Sequence, residues 1–342
     1  MDNAPGILGT PPSQAMRDSL LEALIPMMRR DPSIVLLVGE FGSPVLDRIR
    51  AEYPRQFLNV GIAEQNLINL ATGMALEGCK VLTYAIAPFI TMRCYEQIRV
   101  NLGMLSQIRP VNVTIVGVGA GCSYAMSGPT HQCFEDLTIM RILPNVGLFS
   151  PADAATTTAL LPGFLSTTSP RYLRLDAAPL PDLSTVSLDE DTLRQGFRIL
   201  EKGNTNICVV STGFMSHVAL NANSLLKKRT GHTVTIVDLF RLKPSPAVEE
   251  LVPLLRSHRH IVTIEEGFTN AGGMDSLIQN MLRKHKITAS MSNLGMNDRY
   301  GFDLGPRSHL LSLHGADAQS LAEHLAHLTS SASPAGTGGE RG

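Results

Sequence analysis

Neither sign of charge dominates this chain. Lysine and arginine total 29 against 30 aspartates and glutamates, so there is no basic field to attract nucleic acid or anionic lipid, and no acidic bias either. Partners are therefore expected to be chosen by shape, with no nucleic acid and no membrane among them. Long apolar runs are missing too: the longest, such as Ile34 to Val38, fall far short of the roughly 20 residues that span a bilayer. No N-terminal charged-then-apolar signal is present, and a cytoplasmic protein is expected. The five cysteines, at 79, 94, 122, 133 and 208, include no Cys-x-x-Cys pair, and their odd number argues against a disulfide framework, so they are read as reduced thiols. Ten histidines are scattered, with only His258 and His260 close in sequence and no acid-rich cluster beside them, which argues against a metal site in this chain.

What remains is an ordinary globular composition. With 342 residues, 44% hydrophobic and 17% charged, the chain can bury a full core and make two domains. Short β-rich runs alternate with amphipathic helical stretches, the pattern of a parallel sheet covered on both faces. The first set of expected strands is Ile34 to Val38, Val81 to Ile86, Val111 to Val118, Val146 to Phe149 and Tyr172 to Leu175. Ser43-Pro44 and Ala87-Pro88 place proline where a first helical turn tolerates it, and Pro26 is expected to kink or end the helix that opens near Ser13. A second set follows, with strands Ile207 to Ser211, Val234 to Leu239 and Ile261 to Glu265 and helices near 215–229, 246–257 and 271–285. The proline- and acid-rich stretch Asp176 to Asp191 reads as a linker, with the boundary near residue 190. The fold class is thus α/β, two consecutive parallel-sheet domains over 13–188 and 192–329, with residues 330–342 expected to be disordered.

One segment concentrates the chemistry. Asn59-Val60-Gly61-Ile62-Ala63-Glu64-Gln65-Asn66 delivers a carboxylate from a glycine turn onto the first turn of a helix whose Leu67, Ile68, Leu70, Ala71, Met74 and Ala75 recur at helical spacing. Glu64 then sits at the positive end of the helix dipole, as an electrostatic complement to the free amides or as a buried acid that holds a ring nitrogen. Further on stand Pro88-Phe89-Ile90-Thr91-Met92-Arg93-Cys94-Tyr95-Glu96-Gln97-Ile98-Arg99 and Gly128-Pro129-Thr130-His131-Gln132. Taken alone, Phe89 and Tyr84 suit a core, Arg93 a solvated helix face and His131 a surface loop. A loop histidine can also donate to a developing alkoxide or shuttle a proton.

These signatures, in this order, resemble the transketolase family of thiamine diphosphate enzymes, and the similarity runs from about Ser13 to Leu328. Thr263-Ile264-Glu265-Glu266 and Asn297-Asp298-Arg299-Tyr300-Gly301 are similar to the family's C-terminal domain. The resemblance implies that Glu64 hydrogen-bonds the cofactor's aminopyrimidine and favours the imino tautomer that acts as the base. It further implies Glu40, Ile62, Tyr84, Phe89 and Arg93 as cofactor contacts, Glu64 and His131 as catalytic residues, and Arg17, Ser127 and His131 as substrate contacts. Phe89 would be the ring platform. Glu40 stands where the family usually carries an aspartate near the cofactor.

The family's Gly-Asp-Gly segment, which holds a divalent metal (Mg2+ or Ca2+) and the diphosphate, is not in this sequence, and no upstream domain is expected to precede it. The resemblance is therefore to the second subunit of a split transketolase, with a separate diphosphate-binding subunit as partner in an α2β2 heterotetramer. Three departures concern the substrate. Gly119 stands where the family has a histidine, Ser127 where it has an aspartate, and Ala177 where it has a phosphate-binding arginine, while Arg17 is retained. The first expectation is two-carbon ketol transfer from a ketose donor to an aldehyde acceptor. The alternative is an acyloin or 2-oxo-acid carboligase acting on a non-phosphorylated substrate in specialised metabolism, and a non-catalytic scaffold is a third reading that Glu64 speaks against.

Overall fold

Ile34–Val38 forms strand β1 in the computed structural model, which describes residues 14–183 and 188–331. All five of its side chains are buried, as required of a strand covered on both faces. With β2 (Phe57–Asn59), β3 (Lys80–Ile86), β4 (Val113–Val118), β5 (Gly147–Phe149) and β6 (Arg171–Leu175) it builds a sheet in the order β5-β6-β4-β3-β1-β2, parallel throughout. The second sheet uses β7 (Phe197–Glu201), β8 (Ile207–Ser211), β9 (Thr235–Leu239), β11 (His260–Phe268) and β12 (Ser290–Met296), in the order β12-β11-β8-β9-β7, with β7 antiparallel at the edge. The remaining strand, β10 (Arg241–Lys243), leaves its own half of the chain and pairs antiparallel with β5, so the first sheet has seven strands. Two mostly parallel α/β domains are therefore present, as expected, but they are stitched together.

Some of the helix starts are fixed by a side-chain cap, one of them inside the stretch expected to be a linker. Ser43 accepts a hydrogen bond from the Leu46 amide (3.3 Å) ahead of the helix Pro44–Glu52, and Asp189 caps Glu190–Gln195 through Thr192 N (2.8 Å). The opening helix, Met16–Arg30, runs through Pro26, so of the two expected outcomes the helix does not end there. An interior proline costs about 3 kcal/mol, and here a buried stripe of Leu20, Leu21, Leu24 and Met28 outweighs it. The expected start near Ser13 lies outside the described residues. At the other end the helix Ala318–Ser331 reaches two residues into the expected tail; residues 332–342 are outside the description. No helix among the described residues is long and apolar enough to cross a membrane.

The expected linker is packed at several points of its first half. Asp176, Leu180 and Leu183 are buried, while 184–187 lie outside the described residues. Across the junction, Leu143, Val146 and Leu148 of the first half share one core with Leu239, Leu242 and Leu251 of the second. A buried ion chain reinforces it: Asp153 caps the helix Ala154–Ser166 through Thr156 N (2.8 Å) and also accepts from Arg198 (2.9 Å), whose Nε donates to Asp238 (3.0 Å). All three side chains are almost wholly buried. Removing one partner from such a set leaves uncompensated charge.

Two stability measurements follow from these contacts. Arg198→Met strands two buried carboxylates and is expected to lower the unfolding free energy by about 3–5 kcal/mol, read from urea denaturation; a loss below about 1 kcal/mol would contradict the role given to this chain of charges. Asp31, at the C-terminal end of the first helix, accepts from Lys80 (2.8 Å) and from the Ser33 hydroxyl (2.6 Å) and amide (2.9 Å). These bonds, Lys80 first, lower its pKa to about 2. Its folded-state pKa lies below the unfolded value of about 4, so ionised Asp31 stabilises the fold above that pH, and the contribution fades as the pH falls from about 4 to about 2. The Tm difference between wild type and Asp31→Asn should shrink across that window.

Candidate active site

The loops that carry the predicted residues leave the carboxyl ends of β1, β2, β3 and β4, the edge at which open parallel sheets bind ligands. After β2, Asn59 Oδ1 accepts from Gly61 N (2.8 Å), and Gly61 takes φ +73°, a conformation that suits glycine. The chain then turns into the helix Glu64–Leu76, which Leu67, Ile68, Ala71 and Ala75 bury against the sheet. Its first residue, Glu64, is 8% exposed and accepts from Arg93 Nη1 through Oε1 (3.0 Å).

Arg93 comes from the segment after β3. Phe89–Arg93 forms a wide π-helical turn in which Thr91 Oγ1 and Cys94 Sγ each donate to the carbonyl four residues back (both 2.7 Å). Such side-chain bonds compete with the regular ladder, and π turns are often found at functional sites. The turn brings the Arg93 guanidinium to 4.0 Å over the Phe89 ring, while Gln65 Nε2 binds the Arg93 carbonyl (3.1 Å) and ties the turn to the Glu64 helix. Burial pushes the Cys94 thiol up to about 12, so it is an inert neighbour, not a nucleophile.

The loop after β4 adds the histidine. His131 meets the Phe89 ring edge-on at 5.3 Å and the Tyr124 ring at 6.5 Å, and its Nδ1 lies 3.1 Å from the Thr130 hydroxyl. Gly119 has φ +92°, and the Tyr124 ring rests directly over it: a Cβ at 119 would stand 2.1 Å from a ring carbon. Burial raises the Tyr124 pKa, opposed by Arg17 beside it. Arg17 lies 5.4 Å from the Phe41 ring and 3.6 Å from Asp18, and its Nε is buried without a hydrogen-bond partner among the described residues. Tyr84 is fully buried, stacks edge-on with Phe41 at 5.3 Å, and has a hydroxyl with no hydrogen-bond partner among the described residues.

Glu64, Arg93, Phe89 and His131 thus form one continuous run. Arg17 and Tyr84 join it through Tyr124 and Phe41, with Tyr84 in the core cluster that holds the opening helix and not in the one beneath Glu64. Glu40 is exposed at the rim, 3.4 Å from Asn59 Nδ2, and Ile62 is 78% exposed beside Glu64. Ser127 is exposed, and its amide donates to the Tyr124 carbonyl (3.0 Å).

Sequence reading missed the network behind this loop. Arg307 Nε donates to Glu266 (2.8 Å), and the same guanidinium binds Asp176 and lies 3.5 Å from the Phe214 ring centroid. Glu266 in turn accepts from Cys122 N (3.3 Å), and Asp176 from Ser123 Oγ (2.7 Å). Nothing in the Gly-Pro-Arg context of Arg307 announces this role. Among the described residues no group of three His, Cys, Asp or Glu side chains converges to hold a metal ion.

Comparison with known proteins bears on this geometry. Residues 12–181 match the transketolase pyrimidine-binding domain and residues 197–321 the transketolase C-terminal domain. The chain is 27% identical to one subunit of the apulose-4-phosphate transketolase of Actinobacillus succinogenes, over 91% of this chain and 97% of that protein. It is 28% identical to the putative transketolase C-terminal section of Methanocaldococcus jannaschii, over 91% and 95%. A solved split-gene transketolase, described as an inactive β4 tetramer, superposes with a TM-score of 0.77 at 28% identity, covering 92% of this chain and 99% of that one.

The contact between residues 119 and 124 is directly testable. Gly119→Ala forces an L side chain into φ +92° against the Tyr124 ring and is expected to cost about 1–3 kcal/mol. In a Tyr124→Ala background the steric part disappears, so denaturant titration should show a smaller loss there; equal losses would mean that the ring does not occupy this space.

Proposed function

Because the chain belongs to the transketolase family, we propose that it is the β-type subunit of a split thiamine diphosphate-dependent transketolase-like enzyme, transferring a two-carbon ketol unit from a ketose donor to an aldehyde acceptor. The observation that carries this reading is Glu64: a carboxylate buried at a helix N-terminus and paired with the guanidinium that lies over the Phe89 ring. A planar heterocycle with a ring nitrogen suits that combination. When bound, thiamine diphosphate supplies a carbanion centre that this chain's side chains lack.

The chain's own residues then do three things. Glu64 offers its carboxylate to the ring nitrogen, and the Arg93 bond at Oε1 restricts how that carboxylate can turn. Phe89 provides the platform, with Arg93 stacked on it. His131, whose ring is set between Phe89 and Tyr124, holds or passes a proton at a substrate hydroxyl. For the divalent metal and the diphosphate we look to the partner subunit, since the sequence has no Gly-Asp-Gly segment. Support for a partner also comes from the Actinobacillus relative, itself one subunit of its enzyme, and from the β4 tetramer described as inactive. An α2β2 assembly containing Mg2+ follows from this reading.

A second reading, carboligation of a non-phosphorylated or 2-oxo-acid substrate, is favoured by a specific observation. Gly119 and Ser127 after β4 and Ala177 after β6 place no charged side chain at three positions where the family has a polar or charged group, and each lost charge-assisted hydrogen bond is worth about 1.5–3 kcal/mol.

The test is to co-purify the chain with the diphosphate-binding subunit, add thiamine diphosphate and magnesium, and assay sugar phosphates, free ketoses and 2-oxo acids in parallel. Turnover is expected only with both subunits. Glu64→Ala is expected to lower kcat by on the order of 10²-fold or more with an unchanged far-UV spectrum. Activity of this chain alone, or full activity of the variant, would refute the assignment.

A further inference from the structure

Gly119 and Tyr124 share one space. A Cβ on Gly119 would lie 2.1 Å from Tyr124 Cε2 and 2.3 Å from Cδ2, so the ring can rest there only because residue 119 has no side chain. The loop is built to keep it there. Ser127 N binds the Tyr124 carbonyl (3.0 Å), Ser123 Oγ donates to Asp176 (2.7 Å) and accepts from Ala177 N (2.8 Å), and Glu266 accepts from Cys122 N (3.3 Å). Arg307 locks the two carboxylates, Asp176 and Glu266, from the other domain. Held this way, Tyr124 meets His131 with its ring and Arg17 with its phenol.

The charges around the loop are already spent. Arg93 is bound by Glu64, Arg174 by Asp136 at 2.8 Å, and Arg307 by Asp176 and Glu266. Of the arginines described around Tyr124, Arg17 has the longest carboxylate contact, 3.6 Å from Asp18, and otherwise faces the Tyr124 phenol and the Phe41 ring. A phosphate dianion is held by several charge-assisted hydrogen bonds, and burying it against one guanidinium and a phenol leaves charge uncompensated. Hydroxyl groups, by contrast, are matched by a phenol and a single guanidinium, which together offer donors and an acceptor.

We propose that Tyr124 is a specificity-determining residue: seated over Gly119, it narrows the site beside His131 and matches it to a substrate whose distal end carries hydroxyls instead of a phosphate. The inference rests on the ketol-transfer reading, and its test separates the two. The complex reconstituted with the diphosphate-binding subunit is assayed with matched donors, D-fructose against D-fructose 6-phosphate and D-xylulose against D-xylulose 5-phosphate. In parallel, thermal shifts of the same complex are recorded with each ligand, a readout that needs no turnover.

The wild type should prefer the free sugar at least tenfold in kcat/KM and show the larger thermal shift with it. Tyr124→Phe, which keeps the ring over Gly119, should keep that order. Tyr124→Ala should move the ratio at least tenfold toward the phosphorylated member, mainly through KM, and reverse the order of the thermal shifts. Equal losses for both members, or a wild type that prefers or binds only the phosphorylated sugars, would overturn the proposal, as would the absence of any thermal shift. Selective shifts without turnover of any ketose would uphold the role of Tyr124 while removing the ketol-transfer reading.

Discussion

The packing of one helix governs the site. Leu67, Ile68, Ala71 and Ala75 fill a core that also receives residues from β1, β3 and β4, so the helix Glu64–Leu76 cannot shift without opening cavities. Glu64, its first residue, is consequently fixed at the carboxyl edge of the sheet. Once it is fixed, the Arg93 guanidinium has a partner, Phe89 has a cation above it, and the Phe89 edge gives His131 a wall. A displacement of the helix start would propagate through each of these contacts in turn.

The opposite end of the run is held by the second domain. Arg307 and Glu266 reach across the junction and bind Asp176 and the Cys122 amide, which set the loop that carries Tyr124 and His131. Buried ion sets such as this one do not by themselves make a fold more stable than an apolar core would, because desolvation offsets most of the attraction. What they impose is geometry, since a buried charge tolerates few alternative positions. The C-terminal domain therefore serves the site as a brace for a loop whose chemistry belongs to the first domain. The β10 strand and the Asp153–Arg198–Asp238 chain perform the same bracing at the level of the whole junction.

The strands and long helices were legible because their patterns are local. Ile34–Val38 and Ile207–Ser211 are apolar without interruption, and Ser43-Pro44 starts a helix by its own chemistry. Strands β2, β7, β10 and β12 were not legible, since each is short or interrupted by polar residues and owes its strand form to pairing with a neighbour. That the helix does not end at Pro26 was not legible for the opposite reason: the local cost of proline is plain in the sequence, and the buried stripe around it could not be weighed there. In the site, Glu64, Phe89, Arg93 and His131 were found through motifs, whereas Arg307 lies 131 residues from Asp176 and carries no motif at all.

By itself the amino-acid order determined the class of fold, the helix start that presents Glu64 and the uncharged residues at 119, 127 and 177, because each is written in neighbouring residues. Tertiary structure alone decided that Tyr124 fills the space above Gly119 and that Arg307 is spent on two carboxylates. Both are matters of which distant atoms compete for one volume or one charge, and such competition is resolved only when the chain is packed.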